Sequence, residues 1–139
     1  MRVLVPVDGS ERSHRAVEYL IRSSVESAWT EVRLLNVQPP LPVLKSWRLR
    51  REDIRREQQE RGQRALGHAR ALLEEAGIRH EHHVTVGPAA ETIVSHAKRW
   101  KCDSIVMGTR GIGSTPNLVV GSVAMKVIHL AECPVTLVN

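Results

Sequence analysis

The sequence has no phenylalanine, one tyrosine and three tryptophans among its 139 residues. Its core must therefore be aliphatic, built from Val, Leu, Ile and Ala, and it offers few rings on which unpaired nucleic-acid bases could stack. Nucleic acid is not the expected partner. The two cysteines, Cys102 and Cys133, lack CxxC or metal-ligand spacing. No disulfide framework or structural zinc site is implied, and both are read as reduced thiols. No run approaches the ~18 apolar residues of a membrane span. The opening apolar stretch is ended by Asp8, too early for the core of an export signal. The expected location is the cytoplasm, with no membrane partner.

Charge of one sign is scarce except in one place. The net charge is +5, and residues 45–70 alone hold nine Lys/Arg against four Asp/Glu, which leaves the remainder neutral. Within that segment the signs alternate, as in Arg51-Glu52-Asp53 and Arg55-Arg56-Glu57. That pattern fits a solvated helix with side-chain pairs better than a nucleic-acid-binding patch. With 42% hydrophobic and 25% charged residues, the chain has ordinary globular composition. Its length suits a single domain over residues 1–139.

What is present reads as alternating strands and helices. Residues 2–7, with Val3, Leu4, Val5 and Val7, form a short apolar run of the kind buried on both faces in a parallel sheet. Asp8-Gly9-Ser10 ends it. Ser10 or Ser13 can cap a helix that carries Ala16, Val17, Leu20 and Ile21 at helical spacing and runs to about Ser27. Residues 31–37 read as a second strand, followed by a surface loop with Pro39, Pro40 and Pro42. Residues 51–76 form a long helix ended by Gly77. Residues 78–86, polar at Arg79, His80, Glu81, His82 and His83, suit a sheet edge. A helix follows with Pro88 as its first residue and reaches about Trp100. Residues 103–108 are the fourth strand, 121–131 the last helix and 134–138 the fifth strand. Strands joined by crossovers of ten or more residues give a three-layer α/β/α fold with a five-stranded parallel sheet.

In such sheets ligands bind beyond the carboxyl ends of the strands. Asp8, Asn36-Val37 and the segment from Gly108 onward all fall there. Gly108, Gly111 and Gly121 give the main chain freedom to approach a bulky anion, and Gly121-Ser122 at a helix start offers unpaired N–H groups and the positive end of the dipole. Phosphate fits this chemistry, although a glycine-bearing connector with an ordinary serine cap fits the same residues. There is no GxxxxGK[ST], and Gly111-x-Gly113 lacks a third glycine at dinucleotide-binding spacing. His80 and His82 share a strand face, which suits a transition metal, but no third ligand is evident. These histidines are read as an exposed edge and no metal site is assigned. Neither cysteine has an assigned histidine partner for nucleophilic chemistry.

Two residues separate Gly108 from Gly111, and nine separate Gly111 from the pair Gly121-Ser122. This pattern resembles the ATP-binding motif of universal stress proteins. The opening Val5-Pro6-Val7-Asp8-Gly9-Ser10 and the ending from Ser122-Val123-Ala124 to Cys133-Pro134-Val135 resemble the same family, so the likeness spans essentially the whole chain. The resemblance implies a Rossmann-like sheet of strand order 3-2-1-4-5, of the adenine nucleotide alpha hydrolase-like type. It also implies ATP beside the first and fourth strands, and a homodimer. Carried over by position, Pro6, Val7 and Asp8 border the base and ribose, and Val37 pairs with adenine through its backbone. Met107 and Gly108 wall the ribose, while Gly111, Gly121, Ser122, Val123 and Ala124 cradle the phosphates, with Mg2+ or Mn2+ as the accompanying ion; Arg110 and Gly113 are further candidate nucleotide-binding residues. Pro116-Asn117 departs from the family's usual Arg, Gly or Leu there.

The expected function is an ATP-binding, stress-response regulatory protein in which nucleotide changes the loop 112–120 and so a surface for an unidentified protein partner. A slow ATPase or phosphotransferase is the first alternative. Only Arg110 and Ser122 stand ready for a γ-phosphate, with no paired carboxylate or activating lysine, so no catalytic residue is assigned and at most weak hydrolysis is expected. A nucleotide-free interaction module using the basic helix is the second. The apolar residues Val135, Leu137 and Val138 at a terminal edge predict dimerisation through the last strand.

Overall fold

Val3, Leu4 and Val5 are consecutive and all fully buried. Neighbouring side chains of a strand point to opposite faces, so both faces of this one must be covered. The structure, a computed structural model, describes residues 1–24, 31–41, 50–111, 117 and 120–139. Its elements alternate as β1 (Arg2–Pro6), α1 (Glu11–Ser24), β2 (Glu31–Gln38), α2 (Arg51–Glu75), β3 (His80–Val86), α3 (Ala89–Arg99), β4 (Ser104–Gly108), α4 (Ser122–Leu130) and β5 (Val135–Val138). The five strands form one parallel sheet in the order β3-β2-β1-β4-β5. Val3 pairs with Val32, Leu4 with Ile105, Leu34 with His82 and Ile105 with Val135. The fold is the three-layer α/β/α arrangement read from the sequence, with β3 at an edge.

The alternation of β1 divides the core. Val3, Val5 and Val7 go to one face, where Ala16, Val17 and Leu20 of α1 and Leu66, Ala69 and Leu73 of α2 cover them. Leu4 goes to the other, with Leu35, Ile105 and Met107, under Ala90, Ile93 and Ala97 of α3 and Ala124 and Val127 of α4.

α2 approaches the sheet closely at Gly62. A Cβ there would stand 2.6 Å from Val84 Cγ2 and 3.0 Å from Asn36 Oδ1. Its buried residues are Gly62, Leu66, Ala69 and Leu73, whereas nearly all of residues 51–61 are exposed. The first turns of the helix thus rise past the carboxyl edge of the sheet.

Several boundaries differ from the sequence reading. Ser10 is the cap of α1, its Oγ accepting the Ser13 N–H at 3.3 Å while Ser13 Oγ donates to Ser10 O at 2.8 Å. The helix is described to Ser24, and its expected end near Ser27 lies outside the described residues. Pro88 is extended, with φ −65° and ψ 128°, and precedes the helix rather than opening it. β3 starts at His80 rather than residue 78. Gly77 takes φ +69°, the left-handed conformation that glycine best supplies after a helix. Both cysteines are free, and among the described residues no helix is long and apolar enough to cross a membrane.

Candidate functional site

A cavity of about 800 Å3 opens beyond the carboxyl ends of β1, β2 and β4. The chain turns away from β1 at residues 7–10. Val7 N–H still reaches Leu35 O at 2.8 Å, and Val7 O accepts the Asn36 side-chain amide at 2.9 Å. Gly9 takes φ +86° and passes over Ala65 of α2. This sharp turn brings Asp8 Oδ1 to the Ser10 N–H at 2.9 Å. Asp8 is thus tied to the start of α1, and Pro6, Val7 and Asp8 line the cavity.

Val37 owes its position to strand parity. Leu35 O faces β1, where it accepts from Val7, and Gln38 O faces β3, where it accepts the Gly87 N–H at 3.1 Å. Residues two apart on a strand direct their peptide groups to the same side. Val37 therefore turns its N–H and C=O toward β1, at a level that β1, ending at Pro6, no longer reaches. A donor and an acceptor are left side by side on the cavity wall. Beneath them Asn36, 2% exposed, takes a hydrogen bond from Gln38 Nε2 at 2.7 Å and fixes the end of the strand.

On the opposite wall stand Met107, Gly108, Arg110 and Gly111, followed by the start of α4. Gly108 is required by packing, because a Cβ would lie 2.9 Å from the carbonyl of Arg12 in α1. At Gly111 a Cβ would stand 2.5 Å from Asp8 Oδ2, so the two walls meet there. Gly121 departs from expectation. Its φ of −75° and ψ of 164° are open to any residue, so glycine's conformational freedom is not what the position uses. It is buried, its N–H bonds Thr109 O at 2.6 Å, and a Cβ would meet Thr109 O and Arg110 Cα at 3.4 Å. Gly121, not Ser122, is the N-cap of α4, and no side chain caps the helix.

Met125 N–H is the first to bond back along α4, to Gly121 O at 3.0 Å. The N–H groups of Ser122, Val123 and Ala124 consequently have no acceptor within the helix. All three residues line the cavity, where the helix dipole adds a partial positive charge. Among the residues expected at the site, Gly113 and most of the loop 112–120, including Pro116, lie outside the described residues.

The structure adds wall residues that the sequence did not single out. Ser13 and Arg61 enter from one face, Ala89 and Ile93 from the other, and Gln38 and Pro39 extend the floor of β2. Arg61 owes its place to the packing of α2. It precedes Gly62, the first α2 residue packed on the sheet, so it stands where the helix clears the strands. It also pairs with Glu57 at 2.8 Å. Asp8 is the one carboxylate among the described lining residues, and lysine is absent from them. The cysteines lie elsewhere, and burial pushes the Cys102 thiol up to about 11, which makes it a poor nucleophile at neutral pH.

The sheet order reverses between β1 and β4, and the cavity sits at that switch point, which defines a three-layer α/β protein of the kind that holds ligands at its carboxyl edge. The sequence model of the Universal stress protein family matches residues 1–139. A universal stress protein of Methanocaldococcus jannaschii is 34% identical, over 99% of this chain and 81% of its own length. Among solved structures, hypothetical protein MJ0577 superimposes with a TM-score of 0.84 at 26% identity, over 99% of this chain and 94% of its own. The universal stress protein of Archaeoglobus fulgidus in complex with dAMP gives 0.69 at 26% identity, over 100% and 98%. A universal stress protein family member of Arabidopsis thaliana with AMP bound gives 0.71 at 25% identity, over 99% and 90%. The chain belongs to the universal stress protein family.

Proposed function

We propose that the cavity holds an adenine nucleotide, ATP in the working form, and that the chain is a nucleotide-dependent regulatory protein of the cytoplasm rather than an efficient enzyme. The observation that carries this reading is the pairing of two backbone features across one cavity: the open N–H and C=O of Val37 on one wall, and the acceptor-free N–H groups of residues 122–124 on the other. Adenine presents an acceptor at N1 beside a donor at N6, which matches Val37. A phosphate matches a helix start. The ribose then lies against Met107 and Gly108, with its hydroxyls toward Asp8. The ligands of the Archaeoglobus and Arabidopsis structures support the nucleotide class.

The same residues argue against fast hydrolysis. Phosphoryl transfer needs a positioned nucleophile and charge on the γ-phosphate. Asp8 Oδ1 already accepts from the Ser10 N–H, and Arg61 and Arg110 are the cations among the described lining residues, with no lysine beside them. A divalent ion would arrive with the nucleotide, since the wall supplies one carboxylate.

Calorimetric titration with ATP, ADP, AMP and GTP tests the reading, together with mass spectrometry of ligand released from fresh protein. Adenine nucleotides should bind and GTP should not, because guanine carries a donor at N1 and an acceptor at position 6. Equal binding of GTP, or none of any nucleotide, would refute it.

The dimer rests on β5, which has a neighbour on one side only, β4, among the described strands. A second copy of β5 would satisfy its outer peptide groups. Light scattering at tens of micromolar decides between dimer and monomer.

A further inference from the structure

A second cavity, of about 420 Å3, lies against β2, β3 and the end of α3 and shares no lining residue with the nucleotide site. Its floor is Arg33 and its far wall is Trp100, with Arg99 at the mouth and Glu81 and His83 along the edge strand. The parts are held from behind. Arg2 bonds Glu31 at 2.8 Å and the Trp100 carbonyl, Glu31 bonds Arg33 at 2.8 Å, and Arg33 pairs onward with Glu81. The Arg33 guanidinium stands 5.6 Å from the centre of the Trp100 ring. His83 and His96 pack edgewise on the same ring, at 5.7 and 4.8 Å.

His96 sets the orientation of Arg99. Its Nδ1 lies 2.8 Å from Thr92 O, which can only accept, so Nδ1 carries the proton. The lone pair on Nε2 then accepts from Arg99 at 2.7 Å. Arg99 keeps its other N–H donors, and Arg33 Nε is buried with no hydrogen-bond partner among the described residues. Against these donors the cavity offers the remaining oxygen of Glu81 and one nitrogen each of His82 and His83. Donors exceed acceptors around a small space walled by the Trp100 ring, and Arg33 and Arg99 both line it.

We infer that this cavity is a second ligand site, for a small organic oxyanion whose phosphate or carboxylate meets Arg99 and Arg33 and whose planar body lies on Trp100. Phosphate esters and carboxylic acids share this chemistry, since both present oxygens in the geometry a guanidinium fork accepts. The site does not depend on nucleotide binding at the carboxyl edge.

Phenyl phosphate, benzoate and inorganic phosphate, added separately to the whole protein, distinguish the sources by nuclear magnetic resonance. Phenyl phosphate or benzoate should shift the Trp100 indole and His83 ring signals saturably, and the tighter of the two names the preferred head group. Inorganic phosphate should bind more weakly, for want of the ring contact. Arg99→Gln should weaken binding about tenfold or more, the loss expected for a charge-assisted contact. Glu81→Gln should tighten it, because it removes the competing carboxylate and releases Arg33. No saturable shift at tens of millimolar of any probe would overturn the inference. So would shifts confined to Gly121 and Ser122, binding indifferent to Arg99→Gln, or a loss in Glu81→Gln as large as that in Arg99→Gln.

Discussion

The side-chain amide of Asn36 donates to the carbonyl of Val7 at 2.9 Å, joining the end of β2 to the turn that carries Asp8. Asn36 is 2% exposed, so its loss leaves a buried carbonyl without its partner. Asn36→Ala should cost about 1–3 kcal/mol of stability. It should also weaken nucleotide binding, because the turn at residues 7–10 is released. Urea denaturation and calorimetry check the two effects. Lost stability with unchanged affinity would show that the turn holds itself.

Gly62 and Val84 form a second tight pair, across the interface of α2 and β3. Alanine at position 62 would gain up to about 1 kcal/mol of helix propensity. Its Cβ would nevertheless stand 2.6 Å from Val84 Cγ2, on a stiff β-branched side chain. Overpacking costs about 1–3 kcal/mol, so Gly62→Ala should be destabilising in net. Adding Val84→Ala should make the second substitution milder than it is alone. A double-mutant cycle with no coupling would place the strain elsewhere.

Three histidines, His14, His82 and His96, are held below the usual imidazole range, each chiefly by burial. His14 is also opposed by the His68 ring at 4.4 Å, and His82 by Arg70. Their folded values lie below that of the unfolded chain. The stability they give is therefore complete above ~6.5 and is lost as pH falls below it, because the unfolded chain takes up the protons first. Each contributes at most about 1.4 kcal/mol per pH unit. Urea midpoints should fall between pH 7.5 and 5.5, and His96→Gln should shallow that fall. Glu31, held low mainly by its hydrogen bond to Arg2, enters only below ~4.5. A flat profile between pH 7.5 and 5.5 would contradict the assignment.

The order of elements was legible because the apolar runs are short, β-branched and separated by Gly, Pro, Asp and Ser, which leaves few alternatives to a parallel sheet. The candidate cavity was legible from strand ends at Asp8 and Val37, whereas Pro6, Val7 and Met107 came only with the family resemblance. It was less so where tertiary packing decides. Gly108 reads as an opening for a ligand but is fixed by the Arg12 backbone of α1. Arg61 reads as one charge in a solvated helix, and only the height at which α2 leaves the sheet turns it into a wall. Parity explains why Val37 faces the cavity, yet parity depends on where β1 ends, and the apolar run extends one residue past that end. The Arg33–Trp100 cluster joins residues 67 positions apart, with no local pattern to announce it.

The start of α4 provides the sharpest test of the nucleotide site. Valine at position 121 keeps an allowed backbone, since φ is −75°, but its branches must enter a space where even a Cβ touches Thr109 O and Arg110 Cα at 3.4 Å. They would push the 109–111 segment away from the helix start, spreading the donors that a phosphate needs. Gly121→Val should therefore lower nucleotide affinity by at least tenfold while α4 remains anchored by Ala124 and Val127. Ser122→Ala should do less. Ser122 caps nothing, so the substitution removes only a hydroxyl contact, about 1 kcal/mol or several-fold in affinity, and leaves the three backbone donors in place. Titration of ATP into both variants, with circular dichroism to verify folding, separates the outcomes. A folded Gly121→Val protein that binds ATP as the wild type does would move the phosphate site away from α4. A larger loss from Ser122→Ala than from Gly121→Val would transfer the main contact from the backbone to the hydroxyl.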